Sequence, residues 1–173
     1  GDKDFFGYLE ENIEKVFDYD TKTCEHIANL NCKIKYSVVM QDELESGLRE
    51  ILNLGHTVGR AIETVSNYQL LHGEALSIGM IAQVKLGKEL GFISEKNANR
   101  VLELYKRAKL PTEIPYYINK SELVKKLYTD KKIRDGKLRF VFQKEIGDTM
   151  CFGDNNYGKE ISENKIAEII NTM

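Results

Sequence analysis

Two of the chain's three histidines, His56 and His72, lie in segments otherwise rich in Leu, Ile, Val, Ala and Gly. Neutral imidazole is a common metal ligand, and catalytic zinc sites usually combine three protein ligands with one open position. These residues would supply two of the three ligands. A single histidine is more often a hydrogen-bonded packing residue, and the chain has no HExxH motif. A metal site therefore requires that the fold bring the two rings together.

The first of these histidines, His56, belongs to a stripe of polar residues. At about 100° per residue, its members fall within a sector roughly 80° wide on one predicted helix. They are Glu45, Arg49, Asn53, His56, Arg60 and Glu63. This spacing is also typical of a solvated helix face, but the asparagine, the histidine and the nearby Gly55 and Gly59 lower helix propensity. We therefore interpret the stripe as one wall of a pocket, with a solvated face as the alternative.

Basic residues could make this pocket a binding site for phosphate or carboxylate groups. The candidates are Lys35, Arg49, Arg60 and the pair Lys131-Lys132. Paired lysines are also common on solvated surfaces, so both interpretations of the lysine pair stay open.

The elements that must position these residues are mainly helical. Hydrophobic spacing and capping residues predict helices at 4–16, from 20 past 38, and at 43–66, 73–90, 94–110, 121–130 and 162–173. An antiparallel pair formed by the third and fourth of these would bring His56 and His72 to one point. The segment KLRFVFQKEIGDTMCFG predicts two short strands around a turn at Gly147-Asp148.

Length and composition exclude several classes of protein. We interpret residues 1–173 as one domain, because a chain of this length can bury a sufficient core. A net charge of -2 disfavours nucleic-acid binding, and no apolar run approaches the roughly 20 residues that span a bilayer. Three cysteines without a CxxC spacing fit a reducing cytoplasm. The chain opens on a helical pattern without an initiator Met, which favours a piece of a longer polypeptide.

Several motifs resemble one family. LNLGHTVGRAIE, followed by LHGEALSIGM, resembles the zinc-site motif of the 3-dehydroquinate synthases, which belong to the sugar-phosphate cyclase superfamily. KIKYSVVMQDELESGLRE upstream and DKKIRDGKLRFVFQKEIGD downstream are similar to further motifs of that family. The resemblance implies a mainly α, multi-helical C-terminal domain with a small β-hairpin. In the family an NAD-binding domain precedes this one, and no GxGxxG motif is present in this chain.

The resemblance also implies a role for each matching residue. His56 and His72 would bind Zn²⁺, or another divalent metal such as Co²⁺, and the family's third ligand is a glutamate upstream of FFGYLE. The residues implied in substrate binding are Lys35, Glu45, Arg49, Asn53, Arg60, Lys131 and Lys132. Lys35, Asn53 and Arg60 would be catalytic. NAD would be bound mainly by the N-terminal domain, which is absent from this chain.

For a full-length protein, the resemblance implies an NAD- and metal-dependent lyase of the shikimate pathway of aromatic amino acid biosynthesis. It would convert 3-deoxy-D-arabino-heptulosonate 7-phosphate to 3-dehydroquinate and phosphate, as a cytoplasmic homodimer. We expect this chain alone to be inactive. The alternatives are another sugar-phosphate cyclase, such as 2-deoxy-scyllo-inosose synthase acting on glucose 6-phosphate, and a non-catalytic isolated domain.

One position departs from the family pattern, because the usual GHTxGH is GHTVGR here and Arg60 replaces the second histidine. Arginine stays protonated near neutral pH, so it can hold a phosphate but cannot take up a proton as imidazole can. The leaving phosphate or a water would then serve as the base, with Arg60 as its clamp. Altered substrate choice or lost activity are the other consequences that this substitution leaves open.

Overall fold

The computed structural model describes residues 1–129 and 138–173, and this part of the chain is mainly helical, as predicted. The α-helices are α1 (Lys3–Asn12), α2 (Thr21–Gln41), α3 (His56–Val65), α4 (His72–Glu89), α5 (Glu95–Arg107), α6 (Lys120–Thr129) and α7 (Glu163–Asn171). Short 3-10 helices span Ile13–Val16 and Leu48–Asn53. The strands are β1 (Arg139–Val141), β2 (Gln143–Glu145), β3 (Asp148–Thr149) and β4 (Gly158–Glu160).

Helix α4 is the centre of the core. Its buried residues lie on every side of the helix: Ala75, Ser77, Ile78, Gly79, Ile81, Ala82, Gln83, Val84, Leu86 and Gly87. A helix that is apolar all round must be enclosed by neighbours, and α3, α5 and α7 pack against it. Helix α6 packs in turn against α3 and α7. The two helices that begin with histidines therefore form the most enclosed part of the fold.

Glycines bring α3 and α4 into backbone contact. A Cβ atom added at Gly79 would lie 2.2 Å from the carbonyl oxygen of Gly55 and 2.6 Å from the amide nitrogen of Gly59. A residue without a Cβ is needed where two backbones approach this closely. Gly55 and Gly59, which lower the helix propensity of this segment, therefore have a packing role.

The predicted long helix over 43–66 is wrong in its first half. Residues 42–47 are not helical, a 3-10 helix follows, and the α-helix begins only at His56. Gly55 has a φ of 77°, in the left-handed region, so the chain changes direction between the two helices. Glu45, Arg49 and Asn53 therefore lie outside α3, and the six polar residues do not form one helical stripe.

The predicted hairpin is confirmed, and it is joined by a second strand pair. Strand β2 pairs antiparallel with β3 across the turn at Gly147, while β1 pairs antiparallel with β4, which the sequence did not predict. Phe140 and Phe142 are buried in the core from this region. The hydroxyl of Thr57 donates to the carbonyl oxygen of Arg139 at 3.2 Å, so β1 lies beside the first turn of α3.

Helix α2 is the most exposed of the long helices. Its buried residues are Thr23 and Val38, and the side chains of Tyr36 and Met40 are largely exposed. In the described ranges, no helix combines the length and apolar character needed to cross a bilayer.

Candidate metal site

His56 is positioned by the turn that precedes it. It is the first residue of α3, and the amide of Gly55 donates to the side-chain oxygen of Gln83 on α4 at 2.6 Å. Gln83 is buried, so this hydrogen bond fixes the start of α3 against the middle of α4. Gln83 has no local sequence signal, because its partner lies 28 residues away along the chain.

The fold brings the imidazoles of His56 and His72 together. Their ring centroids are 5.8 Å apart, with an angle of 62° between the ring planes. His56 is the first residue of α3 and His72 is the first residue of α4, and these two helices pack against each other. An ion bonded to both rings at the usual zinc–nitrogen length of about 2.0–2.1 Å would require ring centres roughly 5–6 Å apart. The observed separation is therefore compatible with one shared metal ion.

Among the residues that the structure describes, the two rings use the same nitrogen, Nδ1, for their hydrogen bonds. His56 Nδ1 lies 3.2 Å from the carbonyl oxygen of Leu54, and His72 Nδ1 lies 2.9 Å from Glu63 Oε1. A carbonyl or carboxylate oxygen can only accept, so both Nδ1 atoms donate, and in the neutral form of each ring Nε2 then carries the lone pair. Metal-binding histidines usually have this arrangement. The donor set therefore fits a divalent metal.

The environment of His56 favours its neutral form. Burial lowers the pKa of His56 below its ordinary value of 6.5, and the positive charge of Arg60 and the neighbouring His72 lower it further. The hydrogen bond to Leu54 and the charge of Glu63 act in the opposite direction. A histidine must be neutral to bind a metal, so this environment favours the form that acts as a ligand.

Two imidazoles alone leave a metal site incomplete. Within residues 1–129 and 138–173, the structure contains no group of three His, Cys, Asp or Glu side chains placed to hold a metal ion. Glu63 contacts His72 through Nδ1 and thus lies behind the ring, on the side away from Nε2. A third ligand is needed for a site of the usual catalytic composition.

The other predicted site residues have different surroundings. Arg60 is half-buried on α3, one turn after His56, whereas Lys35 is exposed on α2 and Asn53 is exposed at the end of a 3-10 helix. Glu45 and Arg49 form an ion pair, with Nε and Oε1 3.0 Å apart. Lys131 and Lys132 lie outside the described residues.

Asp42, which the sequence analysis did not single out, organises the segment that carries Arg49. Its carboxylate accepts hydrogen bonds from the backbone amides of Ser46, Gly47 and Arg49 and from the Ser46 hydroxyl, at 2.7 to 2.9 Å. These bonds hold the pKa of Asp42 well below its ordinary value of 3.8, and the amide of Arg49 is the largest cause. Because side-chain acceptors compete with helical hydrogen bonding, Asp42 also explains why residues 42–47 are not helical.

Replacing Asp42 by asparagine is expected to lower the thermal unfolding midpoint near neutral pH, because one amide oxygen replaces two charged acceptors. The carboxylate contributes stability above pH 3.8, and this contribution is lost as the pH falls toward its lower folded-state pKa. The difference in midpoint between the wild type and Asp42→Asn should therefore shrink in acid. Asp20→Asn at the other end of α2 is the matched control, since asparagine caps helices well. A difference that does not change with pH would contradict this role.

The same fold occurs in solved sugar-phosphate cyclases. The chain superimposes on 2-epi-5-epi-valiolone synthase from Streptomyces hygroscopicus, solved with NAD⁺ and Zn²⁺, with a TM-score of 0.81 and 21% identity. This match covers 98% of the chain and 46% of that protein. A 2-deoxy-scyllo-inosose synthase complexed with carbaglucose-6-phosphate, NAD⁺ and Co²⁺ gives a TM-score of 0.76 at 22% identity, over 87% of this chain and 42% of that one. At these identities the likeness establishes the fold alone.

Sequence similarity identifies the family of this chain, which the similarity of fold does not. The profile of the family "3-dehydroquinate synthase C-terminal" matches residues 1–133. The 3-dehydroquinate synthase of Geotalea uraniireducens is 44% identical over 147 residues, which are 84% of this chain and 41% of that protein. The enzyme of Acetivibrio thermocellus is 42% identical over 150 residues, 86% of this chain and 41% of its own length. The chain belongs to the 3-dehydroquinate synthase family, and it spans less than half the length of these relatives.

Proposed function

We propose that this chain provides the metal- and substrate-binding helical domain of a 3-dehydroquinate synthase. The full-length protein would convert 3-deoxy-D-arabino-heptulosonate 7-phosphate to 3-dehydroquinate and phosphate, a step of the shikimate pathway. The observation that carries the proposal is the meeting of His56 and His72, each of which uses Nδ1 for its hydrogen bond, so that among the described residues Nε2 of each ring is left for a metal. Membership of the family supports the substrate assignment.

We further propose that His56 and His72 hold a divalent metal, Zn²⁺ or Co²⁺, together with a glutamate outside this chain. Such an ion would act as a Lewis acid and template for the hydroxyl that NAD oxidises transiently. NAD would bind mainly to the N-terminal domain. The structural relatives solved with NAD⁺ and with Zn²⁺ or Co²⁺ support both cofactors.

The remaining roles belong to the chain's own cationic and polar side chains. Arg60, one turn from His56, would hold the phosphate as it leaves, because a guanidinium remains charged at all working pH values. Arg49 would bind an anionic group of the substrate, with its direction set by Glu45 and by the loop held by Asp42.

Lys35 and Asn53 are assigned catalytic contacts by their positions in the family motifs. Lys131 and Lys132 are assigned substrate contacts in the same way. The side chains of Lys35 and Asn53 are exposed, as is expected of residues that contact a bound ligand. A cytoplasmic homodimer remains our expectation for the full-length protein.

The 173-residue chain by itself is expected to form no 3-dehydroquinate and to hold Zn²⁺ weakly, because it would supply only two metal ligands. Phosphate release from the heptulosonate phosphate, with NAD and Zn²⁺ added, measures this directly. The full-length protein under identical conditions is the control. Turnover by the purified chain would show that the machinery lies within these residues.

The proposed function is tested by offering the full-length protein two substrates separately, with NAD and Zn²⁺. Phosphate release from 3-deoxy-D-arabino-heptulosonate 7-phosphate alone is the expected result. Release from glucose 6-phosphate alone would move the assignment to the 2-deoxy-scyllo-inosose synthases. Release from neither, with the metal bound, would indicate that Arg60 accompanies a changed substrate or lost activity.

A further inference from the structure

Glu63 forms a carboxylate–imidazole contact that the proposed reaction does not use. Its Oε1 lies 2.9 Å from His72 Nδ1, and its side chain is only 17% exposed, whereas that of His72 is 59% exposed. We propose that Glu63 is a positioning residue, which holds His72 in the tautomer that directs the Nε2 lone pair toward the metal. This inference rests on the proposed function, since it requires that His72 bind the metal.

The position of Glu63 suits this role. It follows His56 by seven residues, two turns along the same face of α3, and so reaches across to the first residue of α4. The carboxylate is on a well-packed helix, whereas the ring it contacts is exposed and at a helix end. An exposed histidine would otherwise sample other ring orientations and both tautomers, so the carboxylate restricts the mobile partner.

His56 and His72 are oriented by different kinds of acceptor. The Nδ1 of His56 donates to a backbone carbonyl, that of Leu54, and the Nδ1 of His72 donates to a carboxylate. A carboxylate partner fixes the direction of a ligating ring, and the loss of such partners typically weakens metal binding about 10- to 100-fold. Glu63 should therefore affect metal affinity without touching the metal.

The contact has another interpretation, as an ion pair that merely joins α3 to α4. The two roles predict different effects of replacing Glu63 on the unfolding midpoint, the ring tautomer and the metal affinity. An ion pair between helices would change the unfolding midpoint but would leave the ring tautomer and the metal affinity unaltered. A positioning residue changes the tautomer and the affinity, and a neutral acceptor of the same shape restores the tautomer in part.

Three variants separate these roles. Glu63→Met removes the acceptor and retains the length of the side chain, and Glu63→Gln keeps an acceptor without the charge. Glu74→Gln is the matched control. Glu74 also lies in the first turn of α4, but its carboxylate accepts a hydrogen bond from the backbone amide of Leu71 at 2.8 Å. Long-range ¹H–¹⁵N correlation spectra of the chain resolve the tautomers, since there are only three histidines to assign.

We expect His72 in the wild type and in Glu74→Gln to carry its proton on Nδ1. In Glu63→Met the proton should move largely to Nε2, with Glu63→Gln intermediate. Co²⁺ titration of the full-length protein, followed by its visible absorption, should show about 10- to 100-fold weaker binding in Glu63→Met and unchanged binding in Glu74→Gln.

His72→Ala distinguishes failure of this inference from failure of the metal site. If His72→Ala weakens Co²⁺ binding but Glu63→Met alters neither tautomer nor affinity, the positioning role is wrong and the metal site stands. If His72→Ala leaves Co²⁺ binding unchanged, His72 is not a ligand and both proposals fail together.

Discussion

Replacing either His56 or His72 by alanine in the full-length protein is expected to abolish metal retention and, with it, the proposed phosphate release. Each substitution removes one of three expected ligands, and no neighbouring His, Cys, Asp or Glu among the described residues is placed to complete a replacement set. Loss of a residue behind a ligand typically costs about 10- to 100-fold in affinity, so loss of the ligand itself should cost at least about 100-fold. Zinc content after dialysis measures the effect.

His26→Ala is the control for these variants. His26 lies on α2, where its ring contacts that of Tyr8 with centroids 4.3 Å apart, far along the chain from the histidine motif. The His26→Ala variant should retain zinc at the wild-type level. Equal zinc content in all three alanine variants would refute the assignment of the ligands.

The second large effect is expected from Gly79→Ala. The added methyl group would overlap the backbone of Gly55 and Gly59, and neither backbone can move without separating α3 from α4. We expect a loss of stability at or above the upper end of the roughly 1–3 kcal/mol that overpacking costs. Urea unfolding followed by circular dichroism measures it. Separation of the helices should also pull apart the two imidazoles and weaken metal binding.

Gly87→Ala provides a control within the same helix. Its new Cβ would lie 3.5 Å from side-chain atoms of Ile93 and Phe142, an ordinary contact distance. Alanine also favours the helical conformation by about 1 kcal/mol relative to glycine. Gly87→Ala should therefore be neutral or stabilising, and equal stability of the two variants would show that the α3–α4 contact is not as tight as described.

Local pattern predicted most helices of this fold but not the break before His56. Apolar spacing and the absence of proline favoured a continuous helix over 43–66, and both are local properties. The break depends on Asp42, which accepts backbone amide hydrogen bonds, and on Gln83, which holds Gly55 from α4. Strand β4 was missed for a similar reason, because three residues with little β propensity are ordered by pairing with β1.

The proximity of His56 and His72 was more predictable than the path of the backbone around them. The two histidines could be placed together because consecutive helices joined by a short connection tend to pack antiparallel, and this proximity is observed. The ring nitrogen that each histidine would offer to a metal could not be predicted, since it depends on the hydrogen bonds to Leu54 and Glu63. The period of α3 placed Glu63 on the same face as His56, which was the available indication of its position.

Anomalous diffraction from crystals of the full-length protein, measured on both sides of the zinc absorption edge, tests the central claim most directly. We predict a single zinc peak about 2.0–2.1 Å from the Nε2 atoms of both His56 and His72. A zinc ion bound elsewhere, or bound through Nδ1 of either ring, would contradict the account.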